Sequence, residues 1–135
     1  MKNVRALGVL ATAVLVSTCG EPVSPPRPPE PEPGVLSVRL TTPNADDAAL
    51  IVRITGPTAM TSVVAGNPAH EIYSRAEAKA FNAALFGDLA GGVLLRFHVP
   101  DIAKVAEYSA TVVEVADQAN ALRESLAGYV VTVER

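Results

Sequence analysis

A run of prolines near the N-terminus restricts how this chain can fold more than any other feature. Seven of the eleven prolines lie between Pro22 and Pro33. Proline fixes φ and lacks an N–H group, so the run can form neither a helix nor a central strand. We therefore predict that residues 19–34 comprise the cysteine Cys19 and a Pro-rich disordered tether, in which residues 21–34 span roughly 40 Å in the polyproline II conformation. The folded domain is left to residues 35–135.

The composition of the chain is typical of a globular protein. Apolar residues make up 49% of it and the formal net charge is −3, whereas disordered chains have fewer apolar residues and more net charge. About a hundred residues after the tether suffice for one domain. Without a basic excess, nucleic acid is not expected as a partner. The single cysteine excludes an internal disulfide framework and a zinc site built from several cysteines.

The first residues predict an export signal. Lys2 and Arg5 precede an uncharged apolar run over residues 6–16, and small residues follow it. A positive segment, an apolar segment of about 7–15 residues and small residues before the cleavage point make up a secretory signal peptide. The run is shorter than the ~20 residues that a transmembrane helix needs. We predict a signal peptide over residues 1–18; a buried amphipathic helix is disfavoured, because no polar face interrupts the run.

The segment Val16-Ser17-Thr18-Cys19 resembles the lipobox of bacterial lipoproteins. In that family the signal peptide is cut just before the cysteine, whose thiol is diacylated with palmitate-class chains. Thr18 departs from the usual Gly, Ala or Ser. The resemblance implies that Cys19 is lipidated and anchors the exported chain to a bacterial membrane. Gly20, rather than Asp, after the cysteine implies the outer membrane where the cell has one. The alternative is an ordinary signal peptide with a chance cysteine.

After the tether the hydrophobic pattern has a period of two. Leu36, Val38 and Leu40 alternate with polar residues, which is typical of a strand with one buried face. Similar short segments, bounded by Gly, Pro, Asn and Asp, predict further strands. They cover residues 49–55, 60–65, 71–75, 93–99, 108–115 and 129–133. The doublet Gly91-Gly92 is interpreted as a hairpin turn.

Two segments leave the secondary structure open. Ser74 and Glu77 have the spacing of a helix-capping box, and residues 76–86 are rich in helix formers. The strands on both sides nevertheless favour a strand that completes the sheet. Residues 116–127 form either a short helix or a long crossover loop. Residues 101–106 are predicted to form one helical turn.

The fold class follows from the number of strands. Seven or eight short strands predict a mainly β fold, a single antiparallel β-sandwich with one or two short helical connections. The strand count, and residues 91–99 followed by 108–115, resemble the immunoglobulin-like and cohesin-like sandwiches of bacterial envelope proteins. That resemblance implies attachment or binding more often than catalysis, although a fold alone does not determine function.

The sequence offers little for catalysis. His70 and His98 are its two histidines; His98 is opposite in phase to the apolar Phe97, which places it on a solvated face, and His70 is interpreted as a loop residue. No serine lies in a Gly-x-Ser-x-Gly elbow, and no His or Cys spacing matches a metal site. We therefore predict no catalytic residues and no cofactor, and expect that the chain is not an enzyme. A hydrolase with a dispersed site is the third choice of function.

One loop carries several oxygen ligands. Asn44, Asp46 and Asp47 have the side chains that a hard cation such as calcium prefers. The same residue types are common in turns, where they bond to their own backbone. Because the spacing matches no EF-hand, the ordinary turn is favoured and no metal is predicted.

The leading hypothesis is a membrane-anchored envelope lipoprotein whose sandwich is a non-enzymatic protein-binding or assembly module. Its partner would be another envelope protein, bound through a sheet edge. Loss of Lys2 and Arg5 with the signal peptide changes the net charge from −3 to −5. An acidic domain is repelled by anionic head groups, so contact with the membrane is expected from the lipid anchor alone.

A carbohydrate-binding module that acts on cell wall or glycan is the alternative. Sugar sites commonly present flat aromatic faces, and this chain has no tryptophan and only three tyrosines and three phenylalanines. The candidates are Tyr73, Tyr108 and Tyr129. Coplanar exposure of these rings would favour sugar binding, whereas burial would oppose it.

Overall fold

The computed structural model describes residues 24–135. The predicted signal peptide and Cys19 lie outside the described residues. The elements are β1 (Gly34–Thr41), β2 (Asp47–Thr55), β3 (Thr61–Ala65), β4 (Glu71–Ala76), β5 (Ala80–Phe86), β6 (Gly92–Val99), a 3₁₀ helix (Ile102–Glu107), β7 (Ser109–Asp117) and β8 (Val130–Glu134). Within this described part of the chain, no helix has the length and apolar character needed to cross a membrane.

The strands form two four-stranded sheets. Sheet A has the order β3-β6-β1-β8 and sheet B has the order β4-β5-β2-β7. Every neighbouring pair is antiparallel. The structure therefore confirms the predicted mainly β, antiparallel sandwich of seven to eight strands.

The core lies between the two sheets. Leu36, Val38 and Leu40 of β1 are no more than 2% exposed, as the alternation predicts. Phe81 of sheet B and Phe97 of sheet A pack edge to face across the core, with ring centroids 5.5 Å apart. Such a pair contributes about 0.5–1.5 kcal/mol beyond its buried area.

Most connections cross from one sheet to the other. Among the described strands, β4 and β5 are the one pair consecutive in sequence that shares a sheet. The interpretation of Gly91-Gly92 as a hairpin turn is therefore wrong, because β5 belongs to sheet B and β6 to sheet A. The two glycines adopt φ values of 111° and 92°, which the chain needs as it passes between the sheets.

The two segments whose secondary structure the sequence left open, residues 76–86 and 116–127, contain no helix. β5 buries Phe81, Ala83 and Leu85 with a period of two, so residues 76–86 contain a strand and not a helix. The connection between β7 and β8 is a crossover loop without a helix. The predicted helical turn is present as the 3₁₀ helix, and the Asp101 side chain caps it by accepting from the N–H of Ala103.

The proline-rich segment enters the sandwich beside the 3₁₀ helix. The backbone carbonyl of Glu32 accepts from the N–H of Ile102 at 2.8 Å. The N–H of Glu32 in turn donates to the Asp101 carboxylate at 3.4 Å. We call this the stalk end of the sandwich. The opposite end, formed by the loops 42–46, 66–70, 87–91 and 118–129, is called the far end.

Candidate functional site

The outer face of sheet B is apolar toward the far end and polar toward the stalk end. The row nearest the far end crosses β4, β5, β2 and β7 through Glu71, Phe86, Ala49 and Ala116, and it is apolar except for Glu71 at the β4 edge. The next row toward the stalk end contains Tyr73, Ala84, Ile51 and Glu114. Nearer the stalk end, the outward side chains are Arg75, Asn82, Arg53, Thr55 and Ser109.

A groove runs between two large side chains in the apolar half. Phe86 is 44% exposed and Leu122, which pairs with Ala116, is 64% exposed. Ala49 and Ala116 lie between them, so the two large side chains stand three strand spacings apart, about 14 Å. The space above the alanines has a volume of about 120 Å³. We call this feature the Phe86–Leu122 groove.

Two further side chains extend the groove. The Tyr73 ring meets the Phe86 ring edge-on, with centroids 6.1 Å apart. Tyr73 is 64% exposed, so it continues the apolar wall toward β4. Glu114 lines the groove from β7 and forms no salt bridge within residues 24–135. The groove is therefore apolar, and Glu114 is the carboxylate in its lining.

The position of Leu122 depends on the loop that follows β7. The N–H of Arg123 donates to the carbonyl of Val115 at 2.8 Å. Leu122 forms an isolated antiparallel bridge with Ala116. These contacts place this part of the loop next to β7, where it extends the sheet like a short fifth strand. Leu122 therefore lies beside Ala116 at the edge of the sheet.

A buried carboxylate holds that loop in place. Asp47 is fully buried and accepts from the Arg123 Nε at 3.0 Å. The Thr42 hydroxyl donates to it at 2.6 Å, and the Tyr129 hydroxyl lies 2.9 Å from both of its oxygens. Asp46 also contacts the Arg123 guanidinium. The hydrogen bond that Arg123 donates to Asp47, followed by the one it donates to Asp46, raises the pKa of Arg123, so the guanidinium stays charged.

Asn44, Asp46 and Asp47, which were predicted to form a turn, do lie together, but they contact other side chains of the protein. The carboxylates of Asp46 and Asp47 are occupied by Arg123, and the Asn44 amide donates to the Tyr129 hydroxyl at 2.7 Å. In the described range, no three His, Cys, Asp or Glu residues are placed to hold a metal ion. The cluster serves as a structural link between the β1–β2 and β7–β8 loops.

The two histidines lie at separate places on the sandwich. His98 is exposed on the outer face of sheet A, which confirms the prediction from its phase. His70 is half-buried at the far end, where its Nε2 lies 2.8 Å from the backbone oxygen of Asp88. It joins the loop before β4 to the loop after β5.

The three tyrosines do not form a common aromatic surface. Tyr108 is 6% exposed and packs against Phe97, with ring centroids 5.9 Å apart. Tyr129 is half-buried and bonded to Asp47, and Tyr73 alone of the three is strongly exposed. The coplanar exposure that sugar binding would favour is therefore not met.

The size of the groove indicates what it can accept. Its volume of about 120 Å³ is well below the roughly 300–1,000 Å³ of pockets that enclose small molecules. The groove is open on one side and fits one or two apolar side chains that project from a larger surface.

The sequence analysis did not identify Phe86 and Leu122 as exposed residues. One signal of an apolar outer face was present in the sequence, since Ile51 is apolar and lies on the face opposite to Leu50 and Val52.

The strand arrangement by itself does not identify a function. The immunoglobulin-like or cohesin-like character of the sandwich stays a prediction, since it rests on strand count and on two strand segments. A comparison of the chain with protein-family models, with curated proteins and with solved structures finds no match.

Proposed function

We propose that the domain is a non-enzymatic protein-binding module of the bacterial cell envelope and that it binds its partner in the Phe86–Leu122 groove. The observation that carries this proposal is the exposure of Tyr73, Phe86 and Leu122 on one sheet face. Contiguous exposed apolar surface is characteristic of interaction sites. Covering a large apolar side chain is favourable by about 1.5–3 kcal/mol, so a partner that fills the groove gains substantially from these residues.

The charge beside the groove specifies the partner further. Glu114 lines the groove without a salt bridge in the described part of the chain. A carboxylate at the side of an apolar groove favours a basic group on the partner. We therefore expect a protein surface that presents one or two large apolar side chains next to a lysine or arginine.

The proposal includes lipidation of Cys19 and export to a bacterial membrane, the outer one where the cell has two. The basis is the lipobox resemblance at Val16-Ser17-Thr18-Cys19. Two or three acyl chains anchor a protein stably where one would not. The groove lies toward the far end of the sandwich, away from the point where Glu32 joins the domain, so the anchor leaves it accessible.

The test begins with the anchored chain in its native membrane. A photo-reactive phenylalanine analogue replaces Phe86, and the matched control carries the same analogue at the exposed His98 on sheet A. We expect one recurrent envelope protein to be cross-linked from position 86 and not from position 98. Equal cross-linking from both positions would contradict the groove as the binding site.

Affinity measurements with that protein complete the test. Leu122→Glu should weaken binding by about tenfold or more, because it places a charge in the apolar contact. Glu114→Lys should weaken it by about fivefold through like-charge repulsion with the basic group. Val64→Glu, at a 53% exposed position of sheet A, is the control and should change nothing. Unchanged affinity in Leu122→Glu would refute the proposal.

The anchor is tested separately by the mass of the mature chain. A mature chain that begins at acylated Cys19 is the expected result. A soluble chain without acyl groups would refute the proposed lipid anchor. The groove proposal would then still be tested by the Leu122→Glu and Glu114→Lys variants.

A further inference from the structure

Strand β4 has an open hydrogen-bonding edge. In the β4–β5 hairpin the N–H of Glu77 donates to the carbonyl of Ala80 at 2.8 Å, and the register of the two strands is unbroken. Hydrogen-bonded residues alternate along an antiparallel strand, so every second residue counted back from Glu77 bonds to β5. The residues between them, Ile72, Ser74 and Ala76, direct their N–H and C=O groups away from the sheet.

The other edges of the sandwich are less open. β3 is interrupted by a bulge in which Ser62 has a φ of 52°. The segment containing Leu122 and Arg123 covers the far end of β7, and β8 contacts β7 on that side of the sandwich more extensively than β3 contacts β4 on the other side. β4 is six residues long, contains no proline and is without a bulge. Among the described edges it is the one best suited to accept another strand.

The outward side chains of β4 form a pattern that is complementary to itself. Glu71, Tyr73 and Arg75 alternate along the outer face, so an acid and a base stand two residues on either side of an aromatic ring. Neither Glu71 nor Arg75 forms a salt bridge within residues 24–135. Charged side chains usually protect an edge from pairing, but an antiparallel copy of this strand would meet opposite charges.

We propose that two copies of this chain pair through β4 about a two-fold axis at Tyr73. Glu71 of each copy then stands opposite Arg75 of the other, and the two Tyr73 side chains face each other. Ile72 and Ser74 exchange backbone hydrogen bonds across the axis, and the two B sheets become one sheet of eight strands.

The charges select this register over its neighbours. An axis at Ser74 would place Glu71 opposite Glu77 of the second copy, and both are acidic. An axis at Ile72 would place Glu71 opposite Tyr73 and leave Arg75 without an acidic partner. The Tyr73 axis is the register that pairs both charges, and opposite charges across a strand pair stabilise it.

The pair is weak in dilute solution and stronger among anchored chains. One strand edge buries less surface than the roughly 1,200 Å² of a stable interface. Confinement of the chains to a membrane raises their effective concentration. The test is therefore made on the full chain in its native membrane.

The first experiment is disulfide cross-linking of Tyr73→Cys. Residues that face each other in a pair without hydrogen bonds have Cα atoms about 4.5 Å apart, which is within the range of a disulfide. Mild oxidation should convert the variant to a covalent dimer. Val130→Cys, on an exposed position of β8, and the unmutated chain are the controls and should stay monomeric. Equal cross-linking of Tyr73→Cys and Val130→Cys would overturn the proposal.

The second experiment tests the register by charge reversal in the Tyr73→Cys chain. Glu71→Arg and Arg75→Glu each place like charges opposite each other at two points and should lower the cross-linked fraction by about fivefold. The double variant Glu71→Arg/Arg75→Glu restores opposite charges and should restore cross-linking. A double variant as poor as the single ones, or a cross-linked product that contains a different protein, would refute pairing of two copies. Leu122→Glu should leave the product unchanged, so failure of the groove proposal is distinguishable from failure of this one.

Discussion

The Nε of Arg123 donates to the Asp47 Oδ1 at 3.0 Å, and this bond joins the β7–β8 loop to the first residue of β2. Asp47 is fully buried, and a buried carboxylate is tolerated only with a full set of donors. Arg123 supplies the charge that matches it, while Thr42 and Tyr129 supply hydroxyl groups. The neighbouring residue, Leu122, is thereby held as one wall of the groove.

Replacing Asp47 by Ala should lower the free energy of unfolding by about 3 kcal/mol, because it removes the acceptor of several buried hydrogen bonds. Urea unfolding of the purified chain measures the change. Asp88→Ala, at an exposed position of the adjacent far-end loop, is the control and should change stability by less than about 0.5 kcal/mol. Equal effects of the two variants would show that the Asp47 cluster is not a stabilising link.

Arg123→Lys should loosen the loop without unfolding the sandwich. Lysine carries the charge but lacks the planar fork that reaches both Asp46 and Asp47. Amide hydrogen exchange at Arg123, whose N–H donates to Val115, should become faster in the variant, while the amides of β1 stay protected. Unchanged exchange at position 123 would show that the side-chain bonds do not hold the loop.

Acid should weaken the ion pair between Arg53 of β2 and Glu77 of the β4–β5 turn. The hydrogen bond and charge of Arg53 lower the pKa of Glu77. A lowered folded-state pKa means that the contribution to stability is present above the ordinary pKa of Glu, about 4.3, and is lost as the pH falls through the folded value. The difference in urea midpoint between the native chain and Glu77→Gln should therefore be largest near neutral pH and should narrow on acidification. A difference that is constant with pH would contradict this assignment.

Gly56 should not tolerate a side chain. A Cβ atom at this position would clash with ring carbons of Tyr108, and this ring is buried with its hydroxyl 3.0 Å from the Thr58 hydroxyl. Gly56→Ala should therefore cost about 1–3 kcal/mol, as overpacking does elsewhere. Ala59→Val in the same loop, at an exposed position, is the control. A Gly56→Ala chain as stable as the native one would show that the ring can move aside.

Local pattern predicted the strands well and their arrangement poorly. The period of two in β1 is visible because Leu36, Val38 and Leu40 each face the core. The assignment of strands to sheets is not local, and for that reason Gly91 and Gly92 were interpreted as a hairpin although they lie between sheets.

The candidate site was harder to predict than the fold. Asp47 and Arg123 are 76 residues apart in sequence, and no spacing rule joins an acid in one turn to a base in another loop. Leu122 lies in a loop whose composition suits either a helix or a crossover, so its exposure follows only from the tertiary contacts of Arg123. Lipidation of Cys19 stays a prediction.

The alternation of strands between the two sheets also sets the order in which the domain can fold. β1 is the first strand to emerge, yet its neighbours in sheet A are β6 and β8. A chain that crosses a membrane with its N-terminus first cannot complete this sheet until β8 has followed. Strand pairs so distant in sequence also form slowly. If the chain is exported as proposed, this topology would keep the domain open during translocation and delay its closure until the crossing is nearly finished.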